Sequence, residues 1–151
     1  MKKLVSLFVC LALAVGLALP CVAQELPASA QRTVSTTTED LGDGWVVVTT
    51  VTESAAQARS STKVGSKHAE YTYEGRHIAT VYLNGSFSYD GSSATATGVS
   101  ASHVTASGWS YGGESTWCSG ASVRLTATLS GEGHDVPISL TLTCDKNGNL
   151  S

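Results

Sequence analysis

The sequence is poor in the residues that mark nucleic-acid-binding or metal-rich proteins. It has 4 cysteines, 3 prolines and 14% charged residues in 151 positions. Its 9 lysines and arginines are outnumbered by 12 aspartates and glutamates, and they form no basic stripe. Nucleic-acid binding depends on such cations to neutralise phosphates. We therefore expect no nucleic-acid partner.

A helical repeat is also missing, since no segment repeats apolar residues at a spacing of 3.6 over three turns. The stretch from Ile78 to Tyr89 instead alternates with a period of two, which is typical of a strand with one buried face. The residues of its buried face are Ala79, Val81, Leu83, Gly85, Phe87 and Tyr89. Gly85 predicts a bulge or bend in this strand.

Two further alternating segments lie near the C-terminal end, from Ala121 to Ser130 and from Val136 to Cys144. Their apolar faces meet only if Val136 lies opposite Leu129 or Gly131, because a slip of one residue inverts a strand. With Val136 opposite Leu129, Cys144 falls opposite Ala121. This pairing predicts a β-hairpin.

The rest of the chain gives weaker strand signals. β-Branched residues around the turn at Asp40–Gly44 predict a hairpin over residues 32–53. Residues 54–66 have no period and are interpreted as a linker or long loop. Residues 67–151 are expected to form the main domain. We predict an all-β fold, an antiparallel β-sandwich of general immunoglobulin-like shape, after a cleavable signal helix.

Two segments within that domain are ambiguous. From Ser92 to Ser107, alanine and threonine alternate weakly, and the phase slips near Gly98. From Gly108 to Gly113, Trp109 and Tyr111 lie among residues that favour turns. The second segment is interpreted as a turn that carries two packed aromatic side chains.

The N-terminal residues have the features of an export signal. Met1–Lys3 is positively charged, an apolar run extends from Leu4 to Leu19, and Cys21–Ala23 offers small residues for cleavage after Ala23. Residues 1–23 are therefore predicted to be a signal peptide, and residues 24–31 a flexible mature N-terminus. The alternative is an uncleaved anchor, but the run is shorter than the roughly 20 residues that span a bilayer. We expect a secreted, extracellular protein without a membrane association after cleavage.

Signal cleavage would leave Cys118 and Cys144 as the two cysteines of the mature chain. In an exported protein two cysteines most simply form one disulfide. The chain-entropy model gives such a loop roughly 3.5 kcal/mol of stabilisation. The alternative is two free thiols.

Three segments are similar to a group of uncharacterised small Ser/Thr-rich secreted proteins of clostridial-type Gram-positive bacteria. They are Arg59–Gly65, Phe87–Ser93 and Leu142–Ser151. The segments consist of strand and turn pieces rather than catalytic residues. The resemblance therefore implies a fold and export, without an activity.

A possible catalytic motif is Gly108-Trp109-Ser110-Tyr111-Gly112, which matches the G-x-S-x-G nucleophile elbow of hydrolases. The elbow needs a strand, a sharp turn and a helix, and no helical pattern follows here. His134 with Glu132 or Asp135 could formally complete a triad, although these residues are close together in one loop. A secreted serine hydrolase centred on Ser110 is kept as an alternative function.

Aromatic residues provide the best sign of a binding role, because ring faces can pack on ligands beside hydrogen-bonding side chains. Tyr82 lies out of phase with Val81 and Leu83 and is expected on the opposite face. Together with Trp109 and Tyr111 it forms our set of possible ligand contacts. We expect a non-catalytic module, without a metal or cofactor, that binds an extracellular glycan, envelope polymer or protein. A bacteriocin-like toxin is a further alternative.

Overall fold

The structure, a computed structural model, describes residues 31–54 and 61–151. The predictions for the signal helix (1–23), for nearly all of the mature N-terminus (24–31) and for most of the linker lie outside these ranges. The described residues contain no helix, and so none that could cross a membrane.

Eight strands make up the described chain. The first sheet has the strand order β1-β2-β3-β4-β5 and the second the order β6-β7-β8, and all pairs are antiparallel. The strands are β1 (Gln31–Gly42), β2 (Trp45–Ser54), β3 (Thr62–Tyr73), β4 (Arg76–Tyr89), β5 (Ala94–Thr105), β6 (Trp109–Ser119), β7 (Ser122–Gly131) and β8 (His134–Thr143).

The predicted all-β antiparallel architecture is confirmed, with two sheets enclosing one apolar core. Within each sheet, strands that are neighbours in sequence are also neighbours in space. Immunoglobulin domains instead have Greek-key connections. The strand order observed here therefore differs from that of immunoglobulin domains.

The core lies between the second sheet and strands β2 to β5 of the first, and β5 contributes only partly buried residues to it. Phe87, Leu83 and Val81 of β4 are fully buried, as the alternation of that strand predicts. Strands β7 and β8 contribute the facing side, with Val123, Leu125, Leu129, Ile138, Leu140 and Leu142.

The register of the last hairpin is the one predicted from the apolar pattern. Leu129 pairs with Val136, and Leu125 pairs with Leu140. The amide of Cys144 donates to the carbonyl of Ala121 at 2.9 Å. Burial of both apolar faces explains the register, because a shift of one residue would turn either face into solvent.

The N-terminal hairpin is present as β1 and β2, and it extends the main sheet because β2 pairs with β3. The linker predicted over 54–66 is wrong at its C-terminal end, since β3 begins at Thr62. The inward positions of this part of β3 hold Lys63 and Gly65 instead of apolar residues. Lys63 forms an ion pair with Glu53, and Gly65 is closely packed against Leu150. The sequence therefore shows no apolar alternation at the start of β3.

Strand β6 was missed by the sequence interpretation, which assigned a turn to Gly108–Gly113. Most residues of β6 are exposed because it forms an edge of its sheet. Its pairing shifts between Gly112 and Ser115, and Gly113 has a φ of 64°. Glycines at a bulge and exposed polar residues conceal the strand period.

The sequence predicts a bulge or bend at Gly85, and the structure has a bulge next to this residue. The β4–β5 pairing shifts between Ser86 and Phe87, where the β5 partners change from Gly98 to Ala96. Gly85 itself pairs regularly, and a Cβ there would lie 2.8 Å from the Phe87 ring and from Val123. Close packing, rather than a bend, therefore requires glycine at this position.

Candidate ligand-binding face

We call the face of the first sheet that points away from the second sheet the outer face. Within residues 31–54 and 61–151, no strand packs on it. The alternation that buries Val81 and Leu83 places the intervening residues of β4 here. Across β2 to β5 its central residues are Thr50, Thr52, Val64, Ser66, His68, Tyr82, Asn84, Ser86, Gly98, Ser100 and Ser102.

Tyr82 lies at the centre of the outer face, as the phase of its strand predicts, and is half-buried. It pairs across the strands with His68, and the two ring centroids are 5.5 Å apart with an interplanar angle of 37°. Cross-strand ring pairs of this kind hold each other in place. The pair forms a small, preorganised aromatic platform.

A groove of about 320 Å³ lies next to this platform. Asn84, Ser86, Gly98 and Ser100 contribute to its lining, together with Val64. Gly98 has no side chain to fill the space opposite Ser86, and the β4–β5 bulge bends the strands at the same point. Local sequence thus creates the concavity: one glycine and one extra residue in β5.

Three polar side chains, those of Asn84, Ser86 and Ser100, contribute to the lining of the groove. In the described part of the chain, the side chains of Asn84, Ser86 and Ser100 make no hydrogen bond to another protein group. Hydroxyl and amide groups can both donate and accept hydrogen bonds. These residues are therefore available to a ligand without first breaking a contact within the protein.

Positive charge is missing from the outer face as the structure describes it. Lys63 and Lys67 occupy inward positions, paired with Phe87 and Leu83 respectively. The Lys67 ammonium donates to the carbonyl of Thr141 in the second sheet at 2.8 Å, and burial lowers its pKa. The acidic residue of the central strands on this face is Glu70.

Trp109 and Tyr111, the other predicted ligand contacts, do not join Tyr82. Trp109 is buried in the core, where its ring meets Trp45 edge-on at 5.3 Å. Tyr111 is half-buried at the seam between the sheets, stacked 3.9 Å from His103, and its hydroxyl donates to Glu114 at 2.9 Å. Burial and the bond to Glu114 raise the pKa of Tyr111. The predicted aromatic set is therefore split among three places.

An aromatic cluster that the sequence interpretation missed lies at one end of the sandwich. Trp45, Tyr73 and His134 approach one another, with ring centroids 5.0 Å apart for both Trp45–Tyr73 and Tyr73–His134. A cleft of about 380 Å³ borders this cluster, with Leu41 and Pro137 among its walls. One feature of the sequence could have indicated this cluster: Trp45 and Tyr73 each lie next to a turn that contains glycine.

Ser110 does not lie in a nucleophile elbow. It is exposed within strand β6, and its hydroxyl donates to the carbonyl of Ser130 at 3.2 Å. The elbow geometry needs a sharp turn into a helix, and the described residues include no helix. His134 belongs to the aromatic cluster, with its ring 6.2 Å from that of Trp45.

The predicted Cys118–Cys144 disulfide is wrong for this structure, in which both cysteines are free. Cys118 lies on β6 and Cys144 directly follows β8, so β7 separates them. Two strand spacings amount to about 10 Å, whereas a disulfide needs Cα atoms within roughly 7 Å. The hairpin register was right, but it places Cys144 on the wrong side of β7.

The thiols should differ in reactivity, because Cys118 is exposed and Cys144 is buried. Burial and the neighbouring Asp145 carboxylate raise the pKa of Cys144, which disfavours its reactive thiolate. We expect iodoacetamide to label Cys118 in the folded protein and Cys144 only after unfolding, as read by mass spectrometry. A protein that takes no label until a reductant is added would contradict the free-thiol state.

Asp145 is the start of a closed turn. Its carboxylate accepts hydrogen bonds from the amides of Asn147 and Asn149 and from the Asn149 side chain, which lower the pKa of Asp145. The turn returns the chain so that Leu150 packs over Gly65. No group of three potential metal-binding side chains occurs among the residues that the structure describes.

Comparisons with protein-family models, curated proteins and solved structures found no match. The resemblance to clostridial-type secreted proteins thus stays a prediction. A functional assignment therefore depends on the geometry of the outer face.

Proposed function

We propose that this protein is a secreted, non-catalytic β-sandwich module that binds an extracellular or cell-envelope partner through its outer face. The observation that carries the proposal is the Tyr82–His68 platform beside a groove lined by the polar side chains of Asn84, Ser86 and Ser100. Binding sites commonly combine aromatic contact area with a few convergent polar groups. The outer face has both on a rigid sheet.

Export is part of the proposal and depends on the N-terminal sequence. A basic start, an apolar run and small residues before Gln24 are the features that a signal peptidase reads. An immunoglobulin-like general shape and an origin in a Gram-positive bacterium belong to the proposal in the same way. The two-layer sandwich supports the former, and the three similar segments support the latter.

Substitution of Tyr82 by alanine should weaken binding by about tenfold or more, because a central aromatic contact commonly dominates an interface. Residues 24–151 would be applied to a glycan array and to isolated envelopes of Gram-positive cells, and bound protein would be quantified. The matched control is Trp117→Ala, since Trp117 is an aromatic residue of the other sheet and is 39% exposed.

If Tyr82→Ala and Trp117→Ala lose binding equally, the outer face is not the binding site. If the native protein binds neither to the glycan array nor to the envelopes, the proposal is refuted. Circular dichroism of the variants would show whether the sheets are retained. Tyr82 points away from the core, so the fold should persist without its ring.

A further inference from the structure

We infer that the ligand of the outer face is an uncharged polysaccharide chain. This inference rests on the proposed function and specifies the chemistry of its partner. Three properties of the face support it: its hydrogen-bonding groups, the placement of its rings and its charge.

The hydrogen-bonding groups match sugar hydroxyls. Asn84, Ser86 and Ser100 line the groove, and Ser66 and Ser102 lie in adjacent positions of the same face. Each can donate and accept, as can each hydroxyl of a sugar. A ligand with many hydroxyls can therefore satisfy the groove in several registers, which suits a repeating chain.

The aromatic platform and the groove are arranged in succession along β4. Tyr82 and Asn84 are two residues apart on one face, which corresponds to about 7 Å along a strand. An extended chain can therefore place one sugar face on the Tyr82 ring and the next unit in the groove. A small compact ligand would occupy only one of the two places.

The charge of the face disfavours anionic polymers. No lysine or arginine points to it from the described strands, since Lys63, Lys67 and Arg32 belong to inward positions. Arg76 instead forms an ion pair with Glu132 in the turn between β7 and β8. Glu70 adds a negative charge to the face. A phosphate- or carboxylate-bearing chain would meet this carboxylate without a compensating lysine or arginine from strands β1 to β5 as the structure describes them, and like charges at short range repel.

A folded protein is a poorer fit as partner. Protein interfaces have an apolar centre of closely packed anchor residues. The exposed large apolar residues of this face are Val64 and Val104, which lie on different strands and in different rows. They form no continuous apolar patch.

Gly98→Leu is the decisive variant, because its side chain would fill the groove. A Cβ at Gly98 would meet Ser86 only at an ordinary distance of 3.7 Å, and no positive φ restricts the position. The control is Gly112→Leu on the exposed face of β6, where a Cβ meets nothing within 4 Å. Tyr82→Ala provides a second variant at the other part of the site.

Affinity electrophoresis in gels that contain starch, an uncharged cellulose derivative, β-1,3-glucan, mannan or glycol chitin would test the inference. Polygalacturonate and heparin serve as anionic probes. We expect retardation by at least one uncharged polysaccharide. Gly98→Leu and Tyr82→Ala should each weaken this retardation by about tenfold, as expected for central contacts, and Gly112→Leu should leave it unchanged.

A neutral ligand also predicts affinity that is nearly constant between about 0.05 M and 0.5 M NaCl, because only charge–charge attraction is screened. Retardation by anionic probes alone, falling with salt, would overturn the inference. Envelope binding that depends on Tyr82 without retardation by any uncharged polysaccharide would also overturn it, while the proposed function would stand. Absence of all binding would refute both.

Discussion

Glu53→Gln is expected to lower the free energy of unfolding by about 3 kcal/mol, because it removes one partner of a buried ion pair. The Glu53 side chain is 7% exposed, yet it carries a charge at the inner side of β2. Its carboxylate lies 2.6 Å from the ammonium of Lys63 and also accepts hydrogen bonds from Arg32. Chemical denaturation of both proteins would measure the difference.

Lys63 is the reason for the size of this effect. Its side chain is 10% exposed, so without the carboxylate its charge would remain buried and uncompensated. Arg32 is largely exposed and can return to water. Replacement of Arg32 by glutamine should therefore cost much less than replacement of Glu53.

The matched control is Glu132→Gln, which removes an exposed ion pair with Arg76. Both side chains of that pair are about half exposed, and their oxygen and nitrogen atoms are 2.9 Å apart. Exposed pairs contribute about 0–1 kcal/mol. A similar loss of stability in the two glutamine variants would contradict the assigned role of the buried pair.

The same pair predicts a pH dependence. Hydrogen bonding from Lys63 and Arg32 and their positive charges outweigh burial and lower the pKa of Glu53 below its ordinary value of 4.5. Below the unfolded-state pKa the unfolded chain binds more protons, so stability falls as the pH decreases toward the folded-state pKa. The difference in stability between the native protein and Glu53→Gln should therefore shrink below about pH 4.5. A difference independent of pH would contradict the ionised pair.

Phe87→Ala should be at least as destabilising, with an expected loss of about 3–5 kcal/mol. Phe87 is fully buried, and its ring fills the space above Gly85, which has no side chain of its own. Truncation would leave a cavity between the sheets. Thermal and denaturant unfolding would both report the loss.

Tyr82→Ala is the matched control for Phe87, since it removes a ring from the opposite face of the same strand. We expect a cost of about 1 kcal/mol or less, as is usual for surface positions. The two variants would also separate fold from function. Phe87→Ala should mainly lower the free energy of unfolding, and Tyr82→Ala should mainly weaken ligand binding.

Alternation in the sequence predicted the central strand, the last hairpin and the direction of Tyr82, because burial of one sheet face imposes a period of two. It failed where other interactions occupied inward positions. Lys63 and Gly65 conceal the start of β3, and the edge position of β6 leaves most of its residues polar. Such tertiary effects have no local signal.

The candidate site was predictable only in part for a related reason. The phase of β4 indicated Tyr82, but its partner His68 and the groove at Gly98 depend on which strands pair and in which register. Trp109 was placed among ligand contacts because its strand was taken for a turn. The cysteine pairing failed because β6 was not recognised as a strand, and β6 places Cys118 on the opposite side of β7 from Cys144.

The sequential strand order has a consequence for how quickly the chain can reach its native state. Each hydrogen-bonded pair of strands joins neighbours in sequence, so hairpins can zip from their own turns with little loop-closure entropy. Among the described strands, segments that are distant in sequence meet where the two layers dock. We therefore expect a refolding rate above that of Greek-key sandwiches of similar length, whose contacts are less local.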